Sequence, residues 1–218
     1  MSEQPIHSSE AVDHPVFARV YARLARAAES RGGAEHRRAL LAATSGRVLE
    51  LGAGAGSNFA HYPDTVDELI AVEPERHLRE RAVRAAAEVG MRVSVHDARA
   101  GALDFAEGSF DAGVVSLVLC TVPNQRQALT ELFHVIRPGG TLHFYEHVRA
   151  LRRGEARIQD LADATLWPHL AGGCHLGRDT AAAITAAGFE LESCERFAYS
   201  PSRFLPAAPH ILGVGRRP

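Results

Sequence analysis

The residues best suited to chemistry begin in a glycine-rich turn that follows an apolar strand. In the stretch VLELGAGAGSNF, residues 48–59, the turn holds Gly52, Gly54 and Gly56, and a carboxylate, Glu50, lies within the strand. Glycine lets the backbone approach a ligand closely because it has no side chain. The dinucleotide fingerprint G-x-G-x-x-G places its third glycine one residue later than this pattern does. The turn therefore predicts a nucleotide-containing ligand without deciding its class.

Two carboxylates follow later strands at the same edge of the predicted sheet. Glu73 closes the second strand, where a carboxylate can accept hydrogen bonds from both hydroxyls of a ribose. Asp97 follows the third strand and is placed to receive an adenine amino group. Open α/β sheets bind ligands at the carboxyl ends of their parallel strands. These positions predict an adenosine group lying across the first three strands.

Two histidines are candidates for a base that works near neutral pH. His147 ends the fifth predicted strand, at the edge that faces the ligand, and an unperturbed imidazole titrates close to working pH. His175, beside Cys174 in the turn GGCHLGR, is the second candidate. The alternatives are that His147 packs beneath a cap and bonds backbone, and that His175 is a solvated turn residue. Glu146 precedes His147, so these two side chains point to opposite faces, one inward and one outward.

Composition excludes several classes of function. The chain has 218 residues, a net charge of -2, three cysteines and 12 histidines. The nearly neutral charge argues against nucleic acid as a partner, and the odd, unpaired cysteines indicate reduced thiols and no metal site. All 24 basic residues are arginine, which excludes chemistry that requires a lysine Schiff base or a phosphate-binding lysine. No apolar run approaches the ~20 residues of a membrane span and no targeting signal is visible, which predicts a cytoplasmic protein.

Alternating strand and helix patterns predict the elements that position these residues. Apolar runs predict strands, and helix-period segments closed by glycine or proline lie between them. The predicted strands are 47–51, 69–73, 91–96, 112–119, 141–147, 189–197 and 211–215. The predicted helices are 57–61, 75–89, 124–136, 158–170 and 178–187, with two more before the first strand. This alternation is typical of an α/β fold whose mostly parallel sheet is covered on both faces.

One domain accounts for the whole length, 1–218. We expect residues 1–45 to form an N-terminal helical lid and residues 46–148 to form the cofactor-binding core. The alternation breaks after the fifth strand, so 149–176 is expected to be an inserted cap, and 177–218 to complete the sheet. Lid and cap together are expected to cover the reacting group.

These segments together resemble the class I S-adenosylmethionine-dependent methyltransferases over nearly all of residues 45–215. The resemblance implies a Rossmann-like sheet of seven strands with an antiparallel last strand and a small helical cap. It also implies S-adenosyl-L-methionine as the cofactor and S-adenosyl-L-homocysteine as the product, with Glu50 reaching the methionine ammonium through water. The cofactor-binding residues that it implies are Glu50, Gly52, Ala53, Gly54, Gly56, Asn58, Glu73, Pro74, Asp97, Ala98, Ser116 and Leu117. The alternatives are a nucleotide binder without catalysis, a dehydrogenase and, for Glu50, a carboxylate satisfied by local backbone amides.

Longer segments are similar to the branch that includes the microsomal alkyl thiol methyltransferases. These are LELGAGAGSNFAHYP, SLVLCTVPNQRQALTELFHVIRPGGTLHFYEHV, GCHLGRDT and APHILGVG. The resemblance implies S-methylation of small apolar thiols, and it extends more distantly to quinone-biosynthesis and phospholipid N-methyltransferases. This sequence departs from the thiol branch by lacking its apolar N-terminal anchor. Arg99, Ala100 and Gly101 also stand where an acidic pair is expected after the third strand.

The methyl acceptor is predicted from the segments that surround the transfer position. The predicted contacts are Phe17, Tyr21, Cys120, Glu146 and Trp167. Cys120 is predicted as a pocket wall and not as a nucleophile, because no base is adjacent to it in the sequence. The mostly apolar set indicates a small, weakly charged acceptor and a protein that is a monomer or homodimer, without nucleic acid or a stable membrane anchor. The alternatives are transfer to oxygen or nitrogen, and a catalytically idle binding protein.

Overall fold

The computed structural model describes residues 29–165, 167–200 and 206–218. A seven-stranded sheet runs through them in the order β3-β2-β1-β4-β5-β7-β6. The strands are β1 Gly46–Leu51, β2 Val66–Val72, β3 Val93–His96, β4 Phe110–Ser116, β5 Ile136–His147, β6 Glu190–Tyr199 and β7 Ala208–Arg216. Strands β1 to β5 pair in parallel, and β7 pairs antiparallel with both β5 and β6. The predicted sheet with an antiparallel last strand is confirmed.

Helices flank this sheet on both sides. They are α1 Ala34–Leu41, α2 Arg76–Glu88, α3 Gln125–Val135, α4 Arg153–Asp163, α5 Trp167–Leu170 and α6 Thr180–Ala186. A 3₁₀ turn, Phe59–His61, follows β1, and a π-type turn, Glu29–Gly33, precedes α1. In the part of the chain that the structure describes, no helix has the length and apolar character needed to cross a membrane.

Alternate residues of the central strands enter two separate apolar clusters, one on each face of the sheet. On β1, Val48 lies in one cluster with Phe59, and Leu49 lies in the other with Leu129. Both β1 residues are fully buried. A strand that is buried on both faces has a nearly continuous apolar sequence, which is why β1 lacks the alternation of a half-exposed strand. Glu50 is the exception in that run, and its hydrogen bonds must compensate for its burial.

Side-chain caps fix the residues at which three helices begin. Glu75 accepts a hydrogen bond from the N–H of Leu78 at 2.6 Å, so α2 begins directly after β2. Asn124 caps α3 through the N–H of Gln127 at 3.0 Å, and Asp179 caps α6. A capping oxygen satisfies one of the N–H groups that the first turn of a helix leaves unpaired. The caps of α2 and α3 fix two connections near the carboxyl edge of the sheet, where the candidate site lies.

The cap differs from its prediction. The helix predicted over 158–170 is instead two helices, α4 and α5. Pro168 accounts for the break, because proline has no N–H with which to continue the hydrogen-bond ladder of the preceding helix.

Other boundaries also differ, among them the following. The helix predicted over 57–61 is only the 3₁₀ turn described above. β5 begins at Ile136 and not at Thr141, because Ile136 pairs with Phe110 before a shift in register. The lid helix predicted around Phe17 and Tyr21 lies outside the described residues.

Candidate functional site

The glycine turn after β1 is shaped by the protein around it. Gly52, Gly54 and Gly56 have φ of 70°, 57° and 81°, a region that other residues rarely adopt. A Cβ on Gly52 would come within 2.6 Å of Val118, in the connection after β4. A Cβ on Gly56 would lie 2.8 Å from Ala85 on α2. The glycines therefore let the turn pack between two neighbouring elements, a reason that the sequence prediction of a ligand contact did not include.

Glu73 follows β2 and receives backbone hydrogen bonds on both oxygens. Its Oε2 accepts from the N–H of Gly54 at 2.8 Å, and its Oε1 accepts from the N–H of Glu75 at 3.0 Å. Burial raises the pKa of this carboxyl, and the two amide bonds oppose that effect. An ionised carboxylate has about four lone-pair sites, so two remain for the hydroxyls of a ribose. The geometry thus permits the predicted contact.

Arg79 connects the ends of β2 and β3, and the sequence did not identify it. Its Nη1 donates to the carbonyls of Glu73 and Pro74, each at 2.9 Å. Its Nη2 forms an ion pair with Asp97 at 2.9 Å. The Asp97 side chain is 62% exposed, which leaves it open to a further donor such as an adenine amino group. Ala98, the next residue, packs against an apolar cluster.

Glu50 is held by side chains that follow the glycine turn. Its Oε1 accepts from Asn58 Nδ2 at 2.8 Å, and its Oε2 accepts from the hydroxyl of Tyr62 at 2.9 Å. Arg37 extends the network by donating to Asn58 Oδ1 at 2.6 Å. Burial raises the pKa of Glu50 to about 7, against the effect of the two hydrogen bonds. The alternative that backbone amides satisfy this carboxylate is wrong, and the carboxylate ties the turn to the residues after it.

The end of β4 contains a strained residue beside an unpaired hydroxyl. Leu117 has φ of 59°, the only positive φ outside glycine among the described residues, and its N–H donates to the carbonyl of Tyr145 at 2.8 Å. A bulky residue held in this region costs about 1–3 kcal/mol. The buried Oγ of Ser116 has no hydrogen-bond partner within the described ranges. Strain and an unpaired donor both concentrate at functional sites, and both residues were predicted to contact the cofactor.

The structure gives Glu146 a different place from the acceptor contact predicted for it. This carboxylate is 0% exposed and accepts hydrogen bonds from the N–H groups of Val118, Leu119 and Cys120, at 2.9, 3.0 and 3.2 Å. Burial raises its pKa to about 7. Glu146 therefore holds the connection after β4. The prediction that one of Glu146 and His147 points outward is wrong, because helices and loops cover both faces of the sheet and both residues are buried.

His147 is enclosed and uncharged at neutral pH. Its ring meets that of His210 edge to face, with centroids 5.0 Å apart, and no described residue hydrogen-bonds either of its nitrogens. Burial and the neighbouring His210 lower the pKa of His147 to about 4. The alternative that His147 packs and bonds backbone holds only for packing: the residue is buried, but its ring bonds no backbone group of the described residues. A base of such low pKa is also poorly matched to taking a proton near pH 7, which weakens its predicted role.

His175 has the geometry of an oriented base. Its Nδ1 lies 2.8 Å from the carbonyl of Gly173 and 3.3 Å from Nη2 of Arg178. The carbonyl only accepts and the guanidinium only donates, so the shorter contact favours the tautomer with the proton on Nδ1. That tautomer leaves Nε2 as the acceptor. The N–H of His175 donates to the carbonyl of Cys120 at 2.8 Å, which fixes the imidazole against the connection after β4. Of the two predicted bases, His175 is the one whose ring is oriented by hydrogen bonds.

The remaining predicted residues are placed as follows. Ala53 is buried in the turn, and its N–H donates to the carbonyl of Val72 at 3.1 Å. Cys120 is buried at 2% exposure, and Trp167 on α5 lies near Cys174 in the cap. Phe17 and Tyr21 lie outside the described residues. In the described ranges, no group of three or more His, Cys, Asp or Glu side chains could hold a metal ion.

The residues at the carboxyl ends of β2, β3 and β4 fit S-adenosylmethionine. Glu73 retains lone pairs for a ribose, Asp97 is open to an amino group, and the buried hydroxyl of Ser116 lacks a partner. Residues 49–144 match the methyltransferase domain family. The fold and this edge define a class I S-adenosylmethionine-dependent methyltransferase, and S-adenosylmethionine is its cofactor.

Comparison with known proteins narrows that class to a family. The chain is 35% identical over 178 residues to thiol S-methyltransferase TMT1B from Mus musculus, which covers 79% of this chain and 72% of that protein. It is 32% identical over 170 residues to thiol S-methyltransferase TMT1A from Homo sapiens, covering 76% and 68%. The chain belongs to the family of these two methyltransferases.

Solved structures agree on the fold across much lower identity. A methyltransferase from Thermotoga maritima is 19% identical with a TM-score of 0.68, covering 93% of this chain and 97% of that one. Geranyl diphosphate C-methyltransferase from Streptomyces coelicolor, in complex with S-adenosyl-L-homocysteine, has 12% identity and a TM-score of 0.66, covering 86% and 78%. The [4+2]-cyclase SpnF has 20% identity and a TM-score of 0.66, covering 90% and 80%. One fold thus serves different reactions, and the acceptor has to be argued from the site.

Proposed function

We propose that this methyltransferase transfers the methyl group to the sulfur of a small, apolar thiol. The observation that carries the proposal is an uncharged aromatic cluster where β5, β6 and β7 meet. The cluster consists of His36, Tyr145, His147, Phe197, Tyr199 and His210. The names of the related thiol S-methyltransferases support the choice of sulfur.

The aromatic cluster favours an acceptor without charge. Tyr145 stacks on His210 at 5.5 Å and on Phe197 at 6.1 Å between ring centroids. Burial lowers the pKa of His210 to about 4, as it does for His147, so both imidazoles are neutral at pH 7. An environment that disfavours the protonated form of its own histidines also disfavours a charged amine or carboxylate on a substrate.

Sulfur suits a site whose proposed base is a single imidazole. A thiol with a pKa near 8.5 needs only a weak base to lose its proton as it reacts, whereas an alcohol needs a strong base. His175 Nε2 is the proton acceptor in this proposal, with Nδ1 donating to the carbonyl of Gly173. The cofactor supplies a methyl group already activated on a sulfonium. The protein then contributes orientation and exclusion of water.

The cofactor contacts belong to the same proposal. Glu73 would hold the ribose hydroxyls, Asp97 the adenine amino group, and Ser116 with Leu117 the methionine end. The glycine turn would let the backbone lie against the cofactor, and Glu50 would support that turn through Asn58.

A panel of matched acceptors tests the choice of sulfur. Thiophenol, phenol and aniline differ only in the acceptor atom, and hexanethiol, hexanol and hexylamine repeat the comparison on a flexible chain. We expect S-adenosylhomocysteine release with the two thiols, and rates at least ~100-fold lower with the hydroxyl and amine members, because the site lacks a strong base. Turnover of the alcohols or amines but not the thiols would contradict the proposal. S-Adenosylhomocysteine binding without turnover of any acceptor would indicate the idle binding protein.

The variant Glu73→Ala tests the cofactor contacts separately from the acceptor. We expect S-adenosylhomocysteine to bind ~10- to 100-fold more weakly by calorimetry, since about 1–3 kcal/mol is the usual cost of losing hydrogen bonds to a charged acceptor. Glu80→Ala on α2 is the matched control, because Glu80 makes an exposed ion pair with Arg76. Equal affinity in both variants would remove Glu73 from the cofactor site.

A further inference from the structure

Two cysteines far apart in the sequence meet where the cap joins the connection after β4. The cap turn 172–175 lies against the connection 118–121: the N–H of His175 donates to the carbonyl of Cys120 at 2.8 Å. A Cβ on Gly173 would lie only 3.1 Å from the carbonyl oxygen of Thr121, so glycine is needed for this close approach. The backbone contact places Cys174, the residue before His175, beside Cys120.

A second anchor holds the same two segments together. Arg178 Nη1 donates to the carbonyls of Leu119 and Val122, at 2.6 and 2.7 Å. Gln125 Nε2, at the start of α3, donates to the hydroxyl of Thr180 at 3.0 Å. The contact between cap and connection is therefore built from several polar bonds, and it keeps the two thiols together.

The two thiols have unequal environments. Cys120 is 2% exposed, whereas Cys174 is half-buried and reachable from solvent. A hydrogen bond from the Cys120 thiol lowers the pKa of Cys174, and the same contact with burial raises the pKa of Cys120 well above its usual range. One thiol is thus partly exposed with a lowered pKa, and the other is enclosed with a raised pKa, which is the division of roles in a reactive dithiol.

We propose that Cys174 and Cys120 form a dithiol site that reacts with small disulfides, with Cys174 as the attacking thiol and Cys120 as the resolving thiol. This inference does not depend on the identity of the methyl acceptor. It assigns a covalent modification site to the junction between cap and sheet.

The reaction has two displacement steps. The Cys174 thiolate attacks one sulfur of a disulfide RSSR, the S–S bond of RSSR breaks, and RS⁻ leaves. Cys120 then loses its proton to solvent and attacks the Cys174 sulfur of the mixed disulfide, which releases the second RS⁻. In sum, two protein thiols are oxidised to a disulfide, RSSR is reduced to two RSH, and the two protons end on the released thiols.

Oxidised glutathione is the probe, used on the variant Cys194→Ser so that the exposed third cysteine takes no part. We expect the protein mass to fall by two hydrogens, with a peptide pair joining Cys120 to Cys174 and no glutathione retained. The bond should raise the melting temperature by on the order of 5–10 °C, since it closes a long loop of the unfolded chain. Tris(2-carboxyethyl)phosphine should reverse both changes.

Two further variants in the same background separate the roles of the thiols. Cys120→Ala should retain one glutathione on Cys174, because no resolving thiol is left, while Cys174→Ala should stay unmodified because Cys120 is buried. A stable glutathione adduct in the Cys194→Ser protein, without the cross-linked peptide, would overturn the proposal. So would the absence of any reaction at Cys174.

Discussion

The two candidate bases are separated by the contacts of their ring nitrogens. His175 has Nδ1 at 2.8 Å from the carbonyl of Gly173, its shorter contact, which favours Nε2 as the acceptor. His147 has both nitrogens buried without partners in the described residues, and a pKa near 4. The histidine at the end of β5 is the obvious choice from the sequence. Burial, which the sequence does not report directly, instead favours His175 in the cap.

Replacing each histidine by asparagine tests this assignment. His175→Asn keeps a donor for the carbonyl of Gly173 and loses the base. We expect kcat for a thiol acceptor to fall ~10- to 100-fold at pH 7, with recovery above pH 8 as the thiol ionises without help. His147→Asn should leave kcat within about threefold, since a base of such low pKa contributes little, but should raise KM because it places an amide in the aromatic cluster. The same amide among aromatic rings should lower stability by about 1–3 kcal/mol.

The measurement is kcat against pH for both variants on one proven thiol substrate. A loss in His147→Asn that recovers with pH, with a normal His175→Asn, would return the role to His147. Unchanged rates in both would mean that neither imidazole takes the proton and that the site works by orientation alone.

At the scale of elements, the glycine turn and the connection after β4 constrain one another. A Cβ on Gly52 would meet Val118 at 2.6 Å, and Gly52 also has a φ of 70°. The amide of Val118 is in turn held by Glu146 from β5. Three neighbouring strands thus contribute to one packed edge, so a change in the turn should be transmitted to the end of β4.

Gly52→Ala should therefore destabilise the protein by about 2–4 kcal/mol, combining backbone strain with displacement of Val118. Gly90→Ala is the matched control, because nothing lies within 4 Å of its Cβ position and its φ is not positive. We expect that control to stay within about 1 kcal/mol of the wild type. Urea denaturation of both variants measures the difference, and equal stability would show that the edge adapts to a side chain.

The sequence predicted what depends on local pattern and missed what depends on long-range contact. Apolar runs located all seven strands, and glycine and proline located most helix ends, because those signals act within a few residues. Glu73 and Asp97 were placed at strand ends for the same reason.

The contacts of other residues have no local signal. Arg79 is one of many arginines, and only the fold shows that it joins β2 to β3. Tyr62 bonds Glu50 directly, and Arg37, from a separate segment, bonds the Asn58 that holds Glu50. The alternation of β5 predicted that Glu146 and His147 point to opposite faces of the sheet. The sequence did not predict that both faces are covered there. Pairing of β5 with β7 brings His210 to His147, and no spacing in the sequence indicates it.

At the scale of the whole molecule, buried titratable groups link stability to pH. The pKa of Glu146 is about 7 in the folded protein, against 4.5 as its ordinary value. Between those two values the folded state binds the extra proton, so this group's contribution to stability is complete below pH 4.5 and is lost as pH rises through 7. Lowered pKa values at His147 and His210 act in the opposite direction between about pH 4 and 6.5.

The variant Glu146→Gln isolates the carboxyl contribution from that of the histidines. The free energy of unfolding of this variant, relative to the wild type, should rise by up to about 3 kcal/mol between pH 4.5 and 7. A constant loss of stability should be added at every pH, because an amide accepts the three backbone hydrogen bonds less well than a carboxylate does. Glu88→Gln, an exposed carboxylate on α2, is the control and should show no such slope. Urea denaturation at a series of pH values gives the comparison. A relative stability that is flat or falls with pH would mean that the three amide bonds outweigh burial and keep Glu146 ionised.

The position of β7 has a consequence for how the chain folds. β7 follows β6 in the sequence but lies between β5 and β6 in the sheet, so β6 has no neighbour until β7 is in place. During synthesis, β1 to β5 can pair as they emerge, while one edge of β5 stays unpaired until β7 has been synthesised. Closure of the sheet is thus a single late event of high sequence separation, which is slow by nature. A chain whose β7 failed to dock would leave one edge of β5 unpaired and β6 without a neighbour, and would be prone to associate with other copies through these strands.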